Sequence, residues 1–119
     1  MVKAFLLLGA VVSMATATMF HAELKSSIPA RNSSGAAPTS VSLTFSEPVK
    51  VALSRISILK ADSALVEKLV IKEKKDAATF GAPITKPLAP GKYLVSWATV
   101  SDDGHAAKGF IPFSVVAGK

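Results

Sequence analysis

The sequence contains two histidines, and each lies where it could bind a metal ion. His21 follows an apolar leader, so cleavage before it would leave a histidine whose α-amine and ring offer a metal two nitrogens. His105 ends the segment Asp103-Gly104-His105, which adds a second imidazole and a carboxylate from one short stretch. Nitrogen and oxygen donors of this kind suit Cu(II). The sequence therefore predicts a site made of His21, Asp103 and His105, provided that the fold brings them together.

The first 20 residues have the features of a secretory signal peptide. A basic residue near the start is followed by an apolar run over residues 4–14 and then by small residues. This run is too short to span a bilayer as a transmembrane helix. We therefore expect residues 1–20 to be a signal peptide and residues 21–119 to be one exported domain that is not embedded in the membrane.

Two cleavage positions are compatible with this leader. Cleavage before His21 leaves Phe20 at the position where a signal peptidase prefers a small residue. Cleavage after Ala17 meets that preference through Ala15 and Ala17, but it leaves three residues ahead of His21. The second position would take the α-amine away from the metal.

The composition excludes several kinds of chemistry. The chain has no cysteine, so disulfides, iron–sulfur clusters and cysteine-based zinc or blue-copper sites are ruled out. Its net charge is +6, and a basic chain can bind nucleic acid or an anionic membrane. The clustered lysines have no interleaved aromatic residues, so we interpret them as a solvated edge or loop and expect no nucleic-acid partner. They are Lys68, Lys72, Lys74 and Lys75.

Short segments with alternating polar and apolar residues, separated by Pro, Gly and Ser, predict an all-β antiparallel sandwich. Residues 40–45 alternate throughout, and residues 92–99 have apolar residues on both faces, which predicts a central strand covered on both sides. Trp97 in that strand is assigned to the core, where its indole N–H would need an acceptor. The remaining predicted strands are residues 22–28, residues 65–72 (alternatively a short helix) and a last strand over residues 111–115.

The alternation of polar and apolar residues is interrupted at two places. The apolar phase changes by one residue at Ser54 and Arg55, which predicts a bulge or a turn. Residues 101–108 form a polar connection that is long for a hairpin, and such loops commonly carry binding sites. Within this loop, Asp102 is interpreted as a solvated turn residue.

Three stretches of the chain are similar to one known family. They are residues 21–30, residues 43–49, and a run from residue 88 through the Ser101-Asp102-Asp103-Gly104-His105 segment to Gly109. They lie in order along almost the whole chain after residue 20. Each motif is short, but together they resemble the CopC copper-resistance family of periplasmic copper carriers.

The resemblance implies a Greek-key β-sandwich or barrel, related to cupredoxin and immunoglobulin-like folds, that acts in copper resistance or homeostasis in the periplasm. At the positions that match the family's copper ligands, one Cu(II) ion would be held by the amine and ring of His21, by His105 and by Asp103. Glu47 corresponds to a glutamate near the amino terminus of family members, and we expect it to hold the amine or an ordered water by a hydrogen bond. The alternative is a strand-end carboxylate paired with a lysine. The implied partners are the copper ion and an inner-membrane copper transporter of the CopD type.

The sequence departs from the family at a second site. Many family members have a methionine-rich Cu(I) site, whereas the three methionines here are Met1, Met14 and Met19, all in or beside the leader. We therefore expect only the Cu(II) site. We also expect a carrier and not an enzyme, because both histidines are committed to copper and no nucleophile or paired-carboxylate arrangement is visible. The alternative is a metal-free, immunoglobulin-like interaction module, which would not explain the placement of the two histidines.

Overall fold

The computed structural model describes residues 22–118, which fold into an almost entirely β domain. A 3-10 turn, Val51–Leu53, precedes the fourth strand. Among the described residues, no helix is long and apolar enough to cross a membrane. In the same range there are nine strands, numbered β1 to β9 in chain order: Leu24–Ile28, Ser33–Gly35, Ser40–Phe45, Arg55–Lys60, Leu65–Leu69, Glu73–Asp76, Thr79–Pro83, Gly91–Val100 and Ala106–Val115.

The strands form two sheets that face each other. The four-stranded sheet has the order β1-β3-β7-β6, and the five-stranded sheet has the order β2-β9-β8-β4-β5. All pairings are antiparallel except that of β2 with β9. The chain passes repeatedly from one sheet to the other, as in Greek-key sandwiches. The predicted β-sandwich is confirmed.

The core lies between the sheets and is made of alternate residues of the strands. In β3, Val41, Leu43 and Phe45 are buried and the residues between them are half-buried. Phe45 stacks on Phe80 with ring centroids 5.7 Å apart, and it forms a T-shaped pair with Trp97 with ring centroids 5.2 Å apart. The first contact lies within the four-stranded sheet, and the second joins the two sheets at the end of β3.

Several sequence expectations agree with these strands. β3 has the predicted bounds, and β5 is a strand and not a helix, although it ends at Leu69. The phase change at Ser54 and Arg55 marks the point where the 3-10 turn gives way to β4. The lysine cluster lies on exposed positions of the edge strands β5 and β6 and the segment between them, as the solvated-edge interpretation predicted.

Two expectations about β8 and its loop are wrong. β8 is central in its sheet, but only its inner face is buried; the outer residues are half-buried because, within residues 22–118, no further layer lies over this face. The polar connection is also shorter than predicted. Val100 pairs with Ala106 and Ala98 with Lys108, so the β8–β9 ladder extends into the predicted loop and leaves residues 101–105 as the connection.

Gly109 allows close packing against the buried Trp97. The two residues face each other across the β8–β9 ladder, and a Cβ atom at Gly109 would lie 2.7 Å from Trp97 Cζ2. Among the described residues, the indole Nε1 has no hydrogen-bond partner, so the acceptor expected from the sequence is not supplied by them. The position of the ring is therefore set by packing against Gly109 and Phe45.

We predict that Gly109→Ala lowers the free energy of unfolding by about 1–3 kcal/mol, because the added methyl displaces a packed ring. Denaturant unfolding followed by the fluorescence of Trp97, the one tryptophan of the chain, measures this. Gly35→Ala is the matched control, since a Cβ there meets nothing within 4 Å, and it should change stability by no more than about 0.5 kcal/mol. Equal losses in the two variants would contradict the packing argument.

Candidate metal centre

The connection between β8 and β9 is a tight turn that fixes both of its candidate ligands. The Ser101 N–H donates to the His105 carbonyl at 2.9 Å, and the Gly104 N–H donates to the Ser101 carbonyl at 2.9 Å. Gly104 has a φ of 92°, a backbone conformation that favours glycine. The chain therefore reverses between Asp103 and His105 and brings their side chains to one side of the turn.

The side chains of Asp103 and His105 are in contact. His105 Nδ1 lies 3.1 Å from Asp103 Oδ2, and the side chains are 55% and 41% exposed, respectively. Two neighbouring ligands bound at about 2 Å to one metal ion lie about 2.8 Å apart, so these atoms can share an ion. The same distance fits a ring N–H donated to the carboxylate, which is how ligating histidines are commonly oriented. Their role as ligands stays a prediction.

Ser101 controls the charge of Asp103. Its hydroxyl is buried and donates to Asp103 Oδ1, which also accepts the His105 backbone N–H at 3.3 Å. The Ser101 hydrogen bond is the main cause that lowers the pKa of Asp103 below its ordinary value. Partial desolvation opposes this effect, and His105 adds to it. Asp103 is thus ionised at neutral pH, the form that a metal ion binds.

Ser101 is the residue that the sequence analysis missed. The available signal was its position two residues before Asp103, because serine hydroxyls commonly hydrogen-bond to groups a few residues away. Ser101 also forms an isolated β-bridge with Val49, a residue that is distant in the sequence. That contact cannot be read from the spacing within the loop.

The start of the described chain lies at the same end of the sandwich as this loop. Ala22 is 4% exposed and belongs to the core. The Glu23 N–H donates to Ser46 Oγ at 2.9 Å, and the Ser46 N–H donates to the Glu23 carbonyl at 2.8 Å. Ser46 lies three residues before Val49, at most about 11 Å away, and Val49 is bridged to Ser101. The segment 46–49 thus connects the chain start to the loop.

Of the two further predicted residues, only Glu47 is among the described residues. Glu47 lies in the segment 46–49 and is half-buried. His21 lies outside the described residues, directly before Ala22. Among residues 22–118, no group of three or more His, Cys, Asp and Glu side chains could hold a metal ion. Within this range, Asp103 and His105 are therefore a pair of candidate donors.

The fold and the loop define a small β-sandwich domain with metal-ligating residue types at the end where the described chain begins. Residues 24–116 match the CopC domain family. The chain is 37% identical over 97 residues to protein YobA of Escherichia coli (strain K12), covering 80% of this chain and 78% of that protein. It is 32% identical over 120 residues to copper resistance protein C of Escherichia coli, covering 95% of each.

A solved structure agrees with these sequence matches. CopC from Methylosinus trichosporium OB3b superposes with a TM-score of 0.76 at 31% identity, over 83% of this chain and 97% of that one. The chain belongs to the CopC domain family. This membership confirms the resemblance found in the sequence, and it supports a copper-binding role in copper resistance.

Proposed function

We propose that this protein is a periplasmic copper carrier or buffer that binds one Cu(II) ion in copper resistance or homeostasis. Residues 1–20 are the signal peptide, removed before His21, and residues 21–119 are the mature domain. The α-amine and ring of His21, the imidazole of His105 and the carboxylate of Asp103 bind the ion. Family membership and the geometry at one end of the sandwich support this proposal.

One observation carries the proposal: the 3.1 Å contact between His105 Nδ1 and Asp103 Oδ2 occurs at the end of the sandwich where the buried Ala22 begins the described chain. The Cα atom of the preceding residue, His21, is one peptide step of about 3.8 Å from that of Ala22. Because the buried Ala22 holds the start of the domain in place, less entropy is lost when the donors bind an ion. This favours binding.

The donor set determines the oxidation state. The proposed ligands are nitrogen and oxygen atoms, which suit Cu(II), whereas Cu(I) selects thioether and thiolate sulfur. The chain has no cysteine, and its last methionine is Met19, which the proposed cleavage removes. The mature protein accordingly binds Cu(II) in preference to Cu(I).

Glu47 supports the amino-terminal ligand in this proposal. It follows Ser46, whose hydroxyl holds the Glu23 N–H, so it lies near the start of the mature chain. Its carboxylate accepts a hydrogen bond from the His21 amine or from an ordered water, which orients the amine towards the ion.

The same ligands indicate that the protein carries copper and does not use it for catalysis. Four protein donors around a tetragonal Cu(II) ion leave no open position in that plane, whereas catalytic metal sites keep one. The protein then delivers its ion to another protein, and we propose an inner-membrane copper transporter of the CopD type as that partner.

A competition titration tests this function. Mature protein, with His21 verified as the first residue by mass spectrometry, is titrated with Cu(II) and with Cu(I) against a chelator of known affinity for each. We predict one tightly bound Cu(II) per chain and much weaker Cu(I) binding. The Cu(II) affinity should fall as the pH is lowered, since imidazole and amine must lose protons to bind the ion.

Two outcomes of this titration would oppose the proposal. Failure of the verified protein to take up Cu(II) would favour the metal-free interaction module. Equal or tighter binding of Cu(I) would show that the assigned nitrogen and oxygen donors do not form the site.

A further inference from the structure

The five-stranded sheet has a strongly unequal charge distribution. Its only acidic residue, Glu67, accepts the backbone N–H groups of Thr85 and Lys86, each at 3.0 Å, so its charge is engaged at the sheet edge. The strands β2, β4, β8 and β9 have no acidic residue. The basic residues of the five strands are Arg55, Lys60, Lys68, Lys92 and Lys108.

Two of these cations face each other across the outer surface of the sheet. Arg55 on β4 and Lys108 on β9 both pair with Ala98 on β8, so the three residues form one row. Ala98 points away from the core, because its neighbours Trp97 and Thr99 are buried. Neighbouring strands are about 4.8 Å apart, which places the Cα atoms of Arg55 and Lys108 about 10 Å from each other.

The surface between this row and the Asp103–His105 turn is an apolar groove. Val100 and Ala106 contribute to its lining, together with Leu53, which is 57% exposed. Arg55 and Lys108 border the same groove. Phe110, 51% exposed, lies two residues beyond Lys108 on the same outer face. Exposed apolar surface rimmed by charged residues is typical of a binding surface.

We propose that this groove, bordered by Arg55 and Lys108, docks a protein partner that presents an apolar side chain flanked by carboxylates. The two cations at its border favour a partner with acidic residues. A second copy of this chain does not fit, since it would bring the same cations against each other. The small side chains of Ala98 and Ala106 in the lining of the groove leave room for a protruding side chain, which favours a protein surface over lipid headgroups.

The position of the groove beside the proposed copper ligands indicates a role in copper transfer, and this part of the inference rests on the proposed function. Val100 and Ala106 form the last pair of the ladder from which the Asp103–His105 turn projects. A partner seated in the groove therefore lies next to the proposed copper ligands. The surface would position an acidic acceptor protein for transfer of the ion.

Amide chemical-shift mapping with a defined probe tests the docking surface. The probe is a synthetic amphipathic helical peptide with leucines on one face flanked by glutamates, and the control peptide has lysines in place of the glutamates. At low ionic strength, we expect the glutamate peptide to shift the amides of residues 53–55, 98–100 and 106–110. The lysine peptide should leave these amides unchanged, because it meets like charges.

Matched charge reversals distinguish binding at this groove from attraction to the net charge of the protein. The double variant Arg55→Glu/Lys108→Glu should weaken peptide binding about tenfold or more, whereas Lys74→Glu/Lys75→Glu, with the same charge change on β6, should alter it less than about twofold. Equal weakening in the two folded variants would overturn the proposal. So would shifts that map outside the groove, the absence of any shift, or binding to phosphatidylglycerol vesicles without binding to the peptide.

A separate Cu(II) titration of the same samples keeps the two proposals apart. Both double variants should bind copper as the unmodified protein does, because none of the substituted residues is a proposed ligand. Peptide docking without copper binding would contradict the proposed function alone. Copper binding without peptide docking would contradict the docking surface alone.

Discussion

Adding one residue ahead of His21 is expected to weaken Cu(II) binding by roughly 10²- to 10⁴-fold and to leave the fold intact. In the proposed site, the amine and the ring of His21 close on one ion, so the second bond forms at a high effective concentration. An extra residue converts the His21 amine into an amide, whose nitrogen can bind Cu(II) only after it loses its proton. Chelator competition, with visible absorption or EPR to report the ligand field, measures the loss.

Substitutions in the turn provide the comparison. His105→Ala should weaken binding less than the extension does, because the chelate of His21 survives. Asp103→Asn should cost least of the three, since it removes the charge but keeps an oxygen donor. Asp102→Asn is the matched control: Asp102 is an exposed neighbour in the same turn, and its loss should leave the affinity unchanged.

The extension experiment can also go against the site. If the extended protein binds Cu(II) as tightly as the protein that begins with His21, the α-amine is not a ligand. Cleavage after Ala17 would then be compatible with copper binding, and the ligands that accompany Asp103 and His105 would have to be sought elsewhere.

The sequence predicted strands that contain regularly spaced apolar residues. β3 buries alternate residues against the core, and this pattern is visible without a structure. β8 was also predicted as a strand, but with both faces covered, because apolar residues occur on its outer face as well. β6 was missed because all four of its residues are exposed, so it forms through pairing with β7 at the sheet edge and not through its own pattern. β7 was missed because Gly81 and Pro83 interrupt it. A Cβ atom at Gly81 would overlap the Val41 carbonyl oxygen, so close approach to β3 requires glycine there.

In the candidate site, too, contacts between residues close in the sequence could be predicted, whereas contacts between distant segments could not. Asp103 and His105 are two residues apart, and a turn with glycine between them brings them together, which the sequence could predict. The route from the chain start to the turn depends on Glu23 meeting Ser46 and on a bridge to Ser101. These contacts join segments far apart in the chain, and only the register of the folded sheets defines them.

Copper should also stabilise the folded protein. The proposed ligands tie the start of the chain to the β8–β9 turn, two elements that are distant in sequence and are assembled only in the folded state. An ion that binds only this state, at a free concentration about a thousand times its dissociation constant, adds about 4 kcal/mol to the free energy of unfolding. For a domain of this size, that corresponds to a rise in melting temperature of about 15–30 °C.

Thermal melts of correctly processed protein with and without Cu(II) measure this shift, and the extended chain provides a quantitative control. If the extension weakens binding about 100-fold, the same copper concentration stabilises it by only about 1.4 kcal/mol. The Asp102→Asn variant should keep the full shift, since it retains every proposed ligand. Coincident melts for the protein that begins with His21 would mean that copper does not join the chain start to the turn, and they would favour the metal-free module.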